Sequence, residues 1–206
     1  NEAPGSPQEF RSITAGRSHT CAITRSGEAK CWGYNNVGQL GQGDTANRGD
    51  QTGEMGQHLP AIDLGTGRTV TAISAGDYHT CALLDSGQVK CWGNSFAGVL
   101  GLGGIAGSGD RAGGMGDNLP AVDLGTGRTA TAIVSGSYSN CALLDDGSVR
   151  CWGLNDNGQL GVGDRSARGD QPGEMGDSLP PVLLGSGHTA TAITMSGQQS
   201  VGSADH

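Results

Sequence analysis

The cysteines and histidines are the residues of this sequence whose types and spacing could do chemistry. Six cysteines form three evenly spaced pairs that return every 60 residues, at positions 21, 81 and 141, and the pairs are Cys21 with Cys31, Cys81 with Cys91, and Cys141 with Cys151. In two of the copies a histidine, His19 or His79, lies two residues before the first cysteine. Histidine and cysteine both bind metals, so metal binding is the alternative to a disulfide. The third copy has Ser139 there, and zinc sites favour more closely spaced cysteines. We therefore predict a disulfide within each pair.

Each cysteine pair lies in a segment with the pattern of a β-hairpin, which would position the two sulfur atoms. In the third copy an apolar run from Cys141 leads into Asp145-Asp146-Gly147, and a second run leads out to Cys151. A three-residue turn with Gly147 in the left-handed conformation would set these cysteines opposite each other on paired strands. Cysteines opposed in this way can form a cross-link.

A tryptophan follows the second cysteine of every copy, at Trp32, Trp92 and Trp152. The chain has 39 glycines, but only 3 Trp, 3 Tyr and 2 Phe, so each repeat has few large side chains for a core. Buried aromatic rings supply a large apolar area. We predict that the tryptophans cover the disulfides and fill this thin core.

The whole chain is organised by the same repeat. A strand-like segment occurs four times, at residues 12–15, 71–74, 131–134 and 191–194, whereas the cysteine hairpin occurs three times. Short β-branched runs between glycine turns, without a sustained 3.6-residue apolar period, predict an all-β fold with little helix. We expect a linker or tail at 1–9, repeats at 10–71, 72–131 and 132–191, and the start of a fourth repeat or a closing strand at 192–206.

The repeat resembles that of the regulator of chromosome condensation family. The resemblance rests on His19-Thr-Cys-Ala-Ile, Cys31-Trp-Gly and Gly38-Gln-Leu-Gly-Gln-Gly-Asp44, which recur in the later copies. In that family each repeat forms one β-propeller blade of four antiparallel strands, and seven blades commonly close a ring. The paired cysteines and the long connection are most similar to the secreted bacterial variety.

Three blades and one extra strand fall short of a closed ring, because propellers run to ~4–8 blades. The chain could be a piece of a longer protein, several chains could complete one ring, or the blades could form an open arc whose last strand pairs with the next subunit. Unpaired strand edges invite pairing. We therefore expect contacts between chains at the Phe10 and Met195 ends.

The charge and the cysteines limit the partners and the compartment. The net charge of −8 and the 12 scattered Lys and Arg residues argue against nucleic acid and anionic membrane as partners. No apolar run is long enough for membrane insertion. Paired cysteines without an odd one fit an oxidising compartment, so we predict an extracellular or cell-surface protein.

The long connections at 45–60, 105–120 and 165–180 are candidate contact loops, because connections of this length are commonly binding loops or lie ordered on a neighbour. Their candidate contact residues are Arg48, Asp50, Met55, Asp110, Met115, Arg168, Asp170 and Met175. Carboxylates on a flexible backbone could also bind calcium, and the weak candidates are Asp44, Asp50, Asp164 and Asp170. Gly104 replaces the first aspartate in the middle copy, so we expect turns there and no cofactor.

The sequence indicates a protein without enzymatic activity, since its five histidines form no recognisable catalytic spacing. Two functions remain open. In the first, the blades build an extracellular assembly, a ring or filament, through contacts between chains. In the second, the chain is a monomeric module that binds a protein or glycan through its long loops.

Overall fold

The computed structural model describes residues 9–104 and 108–196, which form nine strands in three antiparallel sheets. Each sheet has three strands in chain order, one sheet for each repeat. The strands are β1 (Phe10–Ala15), β2 (His19–Thr24), β3 (Ala29–Gly33), β4 (Val70–Ala75), β5 (His79–Leu84), β6 (Val89–Gly93), β7 (Ala130–Ser135), β8 (Ser139–Leu144) and β9 (Val149–Gly153). The all-β prediction is confirmed.

The cysteine hairpins form as predicted. Cys21 lies opposite Cys31 between β2 and β3, with the Cα atoms 4.1 Å apart, which is the short spacing of a pair without direct backbone hydrogen bonds. The same register holds for Cys81 with Cys91 and for Cys141 with Cys151, and all three pairs are disulfides. The turn glycines at 27, 87 and 147 have φ of 87°, 78° and 78°, the left-handed conformation that the turn requires.

The fourth strand that the family resemblance implied for each blade is absent from the described residues. The segment that begins near Pro60 lies beside β3 but gives it one backbone hydrogen bond, from Ile62 N to Ala29 O at 2.8 Å. Proline cannot donate to a ladder, and Gly65, with a φ of 119°, turns the chain away shortly afterwards. Each blade therefore consists of a three-stranded sheet and an irregular outer segment.

The predicted extra strand at 191–194 is also not formed, because these residues have no strand partner in the described part of the chain. Ile193 and Met195 nevertheless pack against the apolar residues of the third sheet. The rest of the predicted fourth repeat, at 197–206, and residues 1–8 of the predicted linker lie outside the described residues. The second sheet begins at Val70, so the expected boundary at 71/72 falls inside β4.

The core lies between the sheets, not within them. Two of the three apolar clusters combine residues of consecutive repeats, the first with the second and the second with the third. The first strands of the sheets lie side by side, since Ser135 N donates to Ser74 Oγ at 2.8 Å. Helix in the described ranges is limited to the 3₁₀ turns Gly56–His58, Phe96–Gly98, Gly116–Asn118 and Gly176–Ser178. None of these is long and apolar enough to cross a membrane.

Candidate functional site

The surfaces on which consecutive blades pack, which we call joints, gather the distinctive residues of the repeat. In the first joint, Trp92 of the second blade lies in one apolar cluster with Cys21 and Cys31 of the first. Its indole Nε1 donates to the carbonyl oxygen of Gln39 at 3.1 Å. Trp152 repeats this arrangement in the second joint. Each of these tryptophans therefore packs in the same apolar cluster as the disulfide of the preceding blade, a relation across repeats that the sequence prediction did not include.

The glycine-rich segment after each Trp-Gly provides the space into which the next blade fits. A Cβ on Gly38 would lie 2.3 Å from the backbone nitrogen of Asp110, and one on Gly98 would lie 2.3 Å from that of Asp170. At Gly41 it would lie 2.7 Å from the indole nitrogen of the next blade. Real Cβ atoms do not approach other atoms so closely, so these glycines allow backbone-to-backbone contact between blades.

The long connection of each later blade is docked on the blade before it. Gly116 N donates to Asp63 O at 3.0 Å, and Asp117 accepts from Thr66 N at 3.0 Å and from Thr66 Oγ1 at 2.6 Å. These two hydrogen bonds from Thr66 lower the pKa of Asp117. The second joint repeats the contacts with Thr126 and Asp177.

A basic residue ties the docked connection to the sheet. Lys90 Nζ donates to Leu64 O at 3.0 Å and to Gly116 O at 2.8 Å, and Arg150 donates to Gly176 O in the next joint. Burial lowers the pKa of Lys90, an effect that the charges of Asp117 and Asp63 oppose. The ammonium group thus bridges the closing segment of one repeat and the loop of the next.

Two histidines are buried in the joints. His19 Nε2 lies 2.9 Å from Thr80 Oγ1, and His79 Nε2 lies 2.9 Å from Asn140 Oδ1. Asn140 donates its own amide to Val99 O, so His79 Nε2 carries a hydrogen and donates to Oδ1. Burial lowers the pKa of both histidines to about 4, and each Nδ1 is buried without a partner. These histidines are neutral parts of the joints.

The outer face of the first blade exposes the positions that the later blades bury. Ile13 is 67% exposed, whereas Ile73 at the same position of the second blade is 7% exposed. Phe10 is exposed where Val70 is buried, and Trp32 is only partly buried. We call this surface, with Phe10, Ile13 and Trp32, the head face.

The opposite face of the third blade likewise exposes positions that are buried in the earlier blades. Leu184 is 43% exposed, whereas Leu124 at the same position is 5% exposed. Gly158 has a φ of 76°, like Gly38 at 78°, but among the described residues its would-be Cβ meets only the Asp164 carbonyl oxygen, at 3.8 Å. We call this surface, with Gly158, Gly161 and Leu184, the tail face. Residues 190–196 cover its inner part.

The calcium candidates lie in turns held by their own neighbours. Asp44 Oδ2 accepts from Arg48 Nη2 at 2.6 Å, and Asn35 Nδ2 donates to Asp44 Oδ1 at 3.2 Å. Asp164 makes the same contacts with Arg168 and Asn155. Asp50 accepts from Asn47, and Asp170 lies beside the glycines of the preceding blade. Within 9–104 and 108–196, no three His, Cys, Asp or Glu side chains are grouped so that they could hold a metal ion.

The candidate contact residues of the three loops differ in how far they are exposed and in the contacts they already make. Met115 and Met175 are partly buried against the joint clusters, and Asp110 lies against Gly38. Met55, on the first loop, is 40% exposed. The guanidinium of Arg48 is committed to the carbonyl groups of Ala46 and Asn47 as well as to Asp44, and Arg168 is held in the same way.

Sheets that stack through such joints, with their first strands side by side, define a β-propeller built of sequence repeats. The chain belongs to the regulator of chromosome condensation (RCC1) repeat family, whose models match residues 10–39, 70–98 and 130–159, and 26–83. The resemblance inferred from the cysteine, tryptophan and glycine motifs is confirmed.

Solved structures show the same fold. Human WBSCR16 superposes with a TM-score of 0.62 at 18% identity, over 85% of this chain and 39% of that one. Prp20p of Saccharomyces cerevisiae, described with its binding to Gsp1p and histones, gives a TM-score of 0.59 at 18% identity, over 84% of this chain and 38% of that one.

Curated relatives are much longer than this chain. It is 33% identical over 195 residues to human E3 ubiquitin-protein ligase HERC2, which covers 93% of this chain and 4% of that protein. It is 34% identical over 160 residues to the ultraviolet-B receptor UVR8 of Arabidopsis thaliana, which covers 76% of this chain and 32% of the receptor. The chain thus spans less than two thirds of these relatives.

Proposed function

We propose that this chain is a non-enzymatic extracellular assembly protein whose blades join end to end with those of a second copy. One observation carries the proposal: the head face and the tail face are the two open halves of the joint that the chain forms twice within itself. A head-to-tail contact would bury both halves with contacts of the same kind.

The chemistry of the two open faces fits such a contact. Trp32 would reach the glycine segment at Gly158 and Gly161, as Trp92 reaches that of the first blade. In the internal joint the hydroxyl of Thr66 donates to Asp117. On the open faces, Ser186 occupies the repeat position of Thr66 and Gln57 occupies that of Asp117. A serine hydroxyl and a glutamine carbonyl oxygen can form the corresponding hydrogen bond. The joint between copies would therefore lack the carboxylate of the internal ones but keep a basic residue, since Lys30 stands at the position of Lys90 and Arg150.

Closure of a ring is compatible with this geometry. Two copies of three blades each lie within the ~4–8 blades from which propellers close. The three disulfides support an oxidising compartment, and hence the extracellular location in the proposal. The alternative is a monomeric module that binds a protein or glycan through the long loops, and exposed Met55 makes the first loop its strongest candidate.

The test is the molar mass of the purified chain, measured by light scattering over a range of concentrations. We expect a dimer that Ile13→Asp and Gly158→Ala each convert to a monomer. Gly53 has a φ of 88° with open space beside it, so Gly53→Ala introduces the same backbone strain without touching the tail face and serves as the control. A monomer at every concentration would sink the proposal and favour the loop-binding module.

A further inference from the structure

The middle blade lacks a hydrogen-bond network that the other two blades share. In the first blade the buried Asn35 side chain donates to Asp44 O and Ala46 O and accepts from Leu40 N, and Arg48 closes the group onto Asp44. The third blade has the same network around Asn155. In the middle blade Ser95, Gly104 and Ser108 replace the asparagine, the aspartate and the arginine. All three side chains of the network are lost together.

Without this network, the middle loop has a different conformation. Phe96–Gly98 forms a 3₁₀ turn in which Ala97 has a φ of 53°, the one positive φ of a non-glycine residue in the described ranges. Such a conformation costs an alanine about 1–2 kcal/mol. The turn presents Phe96 with 57% of its surface exposed. Backbone strain is often retained at functional sites, so a strained turn that exposes an aromatic ring suggests a function for that ring.

Phe96 belongs to a row of side chains contributed by all three blades. Its ring contacts Tyr138 edge-on, with 5.4 Å between centroids, and Tyr138 stacks on Tyr78 at 6.3 Å. The guanidinium carbon of Arg17 lies 5.7 Å from the centroid of Tyr78. We call Arg17, Tyr78, Tyr138 and Phe96 the aromatic row.

The repeat itself does not require the aromatic row. Ser18 stands at the position of the two tyrosines in the first blade, and Asn36 and Asp156 stand at the position of Phe96. Those blades fold with the same strand register as the middle one. The contacts within the row add about 0.5–1.5 kcal/mol for each aromatic pair, which can at most offset the strain of the turn. They do not explain why 57% of Phe96 is left exposed.

We propose that the aromatic row binds an extended segment of a partner protein that carries an acidic side chain close to an aromatic or aliphatic one. Tyrosine and arginine are the residues on which binding energy concentrates in protein interfaces. Arg17 at one end would bind the carboxylate, and Phe96 at the other would bind the apolar side chain. Asp77, beside Arg17 in the same cleft, disfavours a second acid in the middle of the segment.

The arrangement of the rings favours a peptide over a sugar. Sugar rings stack on free aromatic faces, but Tyr78 already has Arg17 against its ring and Tyr138 stacked on it. The row therefore offers ring edges, phenol hydroxyls and a guanidinium, which suit the side chains of an extended polypeptide.

The experiment uses the whole chain and a phage-displayed library of random eight-residue peptides. We expect the selected peptides to share an Asp or Glu near an aromatic or aliphatic residue. Synthetic copies should bind at least tenfold more weakly to Phe96→Asn and to Arg17→Ser. These substitutions install the residues of equivalent blades, Asn36 and Ser137, so the fold tolerates them. Asp156→Ala, at the position of Phe96 in the third blade, is the matched control and should bind like the unmodified chain.

Three outcomes would overturn this proposal: no enrichment of acidic-apolar sequences, binding to Phe96→Asn and Arg17→Ser as tight as to the unmodified chain, or binding to a glycan array that depends on Phe96. The molar mass of each variant is measured in parallel. Arg17 lines the same cleft as Gly161 and Leu184 of the tail face, whereas Phe96 does not. A change in peptide binding is therefore assigned to the aromatic row only where the molar mass of the variant is unchanged.

Discussion

At the scale of the residue, the joints depend on small groups that permit close approach. Gly38 and Gly98 allow the backbone of the next blade to come near, and the neutral side chains of His19 and His79 cross to it with one hydrogen bond each. Neither role follows from residue type alone. Glycine is here a contact residue, and histidine is here an uncharged donor.

Two glycines with the same backbone conformation should respond differently to alanine. Gly53→Ala should cost about 1–2 kcal/mol, the strain of a positive φ, because nothing lies within 4 Å of its would-be side chain. Gly38→Ala should cost about 1–3 kcal/mol more, because the methyl group would overlap the backbone of Asp110. Urea unfolding of both variants measures the difference, and equal losses would contradict the role of Gly38 in the joint.

Acidification should weaken the joints through the histidines. The pKa of His79 is about 4 in the folded chain and 6.5 when solvated, so the unfolded chain binds more protons between these values and stability falls as pH falls through them. The loss should reach about 3 kcal/mol for a fully buried histidine. Asp117 and Asp177, whose pKa values are lowered, titrate below this window.

The check is the urea midpoint between pH 7 and pH 4. We expect the unmodified chain to lose stability steeply and His79→Gln, which keeps a donor, to lose it less. His58 is exposed, so His58→Gln should follow the unmodified chain. A pH slope unchanged by His79→Gln would show that other groups cause the effect.

At the scale of the element, the cysteine hairpin is the rigid unit of each blade. Its three-residue turn and its opposed cysteines follow from local spacing, and both were predictable from the sequence. The strands are short, five or six residues each, and the apolar side chains of the middle hairpin pack in the clusters shared with the preceding and the following blade. A cross-link therefore stabilises a sheet that has little core of its own.

Removal of the disulfide of the middle blade should lower the stability of the whole chain. The double substitution Cys81→Ala with Cys91→Ala should lower the free energy of unfolding by about 2–3 kcal/mol, from the loop-closure entropy of the unfolded chain. Both residues are fully buried, so a further loss from the vacated volume is expected. The thermal unfolding midpoint of the variant, compared with that of the unmodified, disulfide-bonded chain, measures this loss of stability. An unchanged midpoint would contradict a structural role of the disulfide.

The sequence predicted the elements better than the contacts between them. The hairpins depend on residues ten apart, whereas Asp117 meets Thr66 from 51 positions away, and no local pattern announces such a contact. The family resemblance implied a fourth strand that the described residues do not form, because Pro60 and Gly65 leave a single backbone hydrogen bond to β3. The loss of the Asn35 network in the middle blade is visible in the repeat alignment, but its effect on Phe96 needed the structure.

At the scale of the whole molecule, the described residues form two joints of the same kind between three blades, with the head face and the tail face on the outer sides. Each joint has one side that offers a tryptophan and a loop, and another that offers glycines and a disulfide. Stability should therefore depend on the number of joints as well as on each blade. The two open faces are where the chain can gain a further joint.

Quenching of tryptophan fluorescence can test the described burial of the joints and of the head face. Trp92 and Trp152 are fully buried and Trp32 is partly exposed, so iodide should quench one of the three in the dilute chain. Trp32→Phe should abolish the quenchable component. If chains join head to tail, that component should also disappear as the concentration of the unmodified chain rises. Equal quenching of all three would contradict the described packing.

The first two disulfides each share an apolar cluster with the tryptophan of the following blade, whereas the third does not, and this difference should set the order in which reducing agents reach them. The sulfur atoms of the first two blades are sealed by their successors, since Cys21, Cys31, Cys81 and Cys91 are all fully buried. In the third blade Cys141 is 7% exposed, the largest value among the six cysteines. Reduction should therefore begin at the third blade and advance toward the first, and a copy docked on the tail face would act as a redox shield.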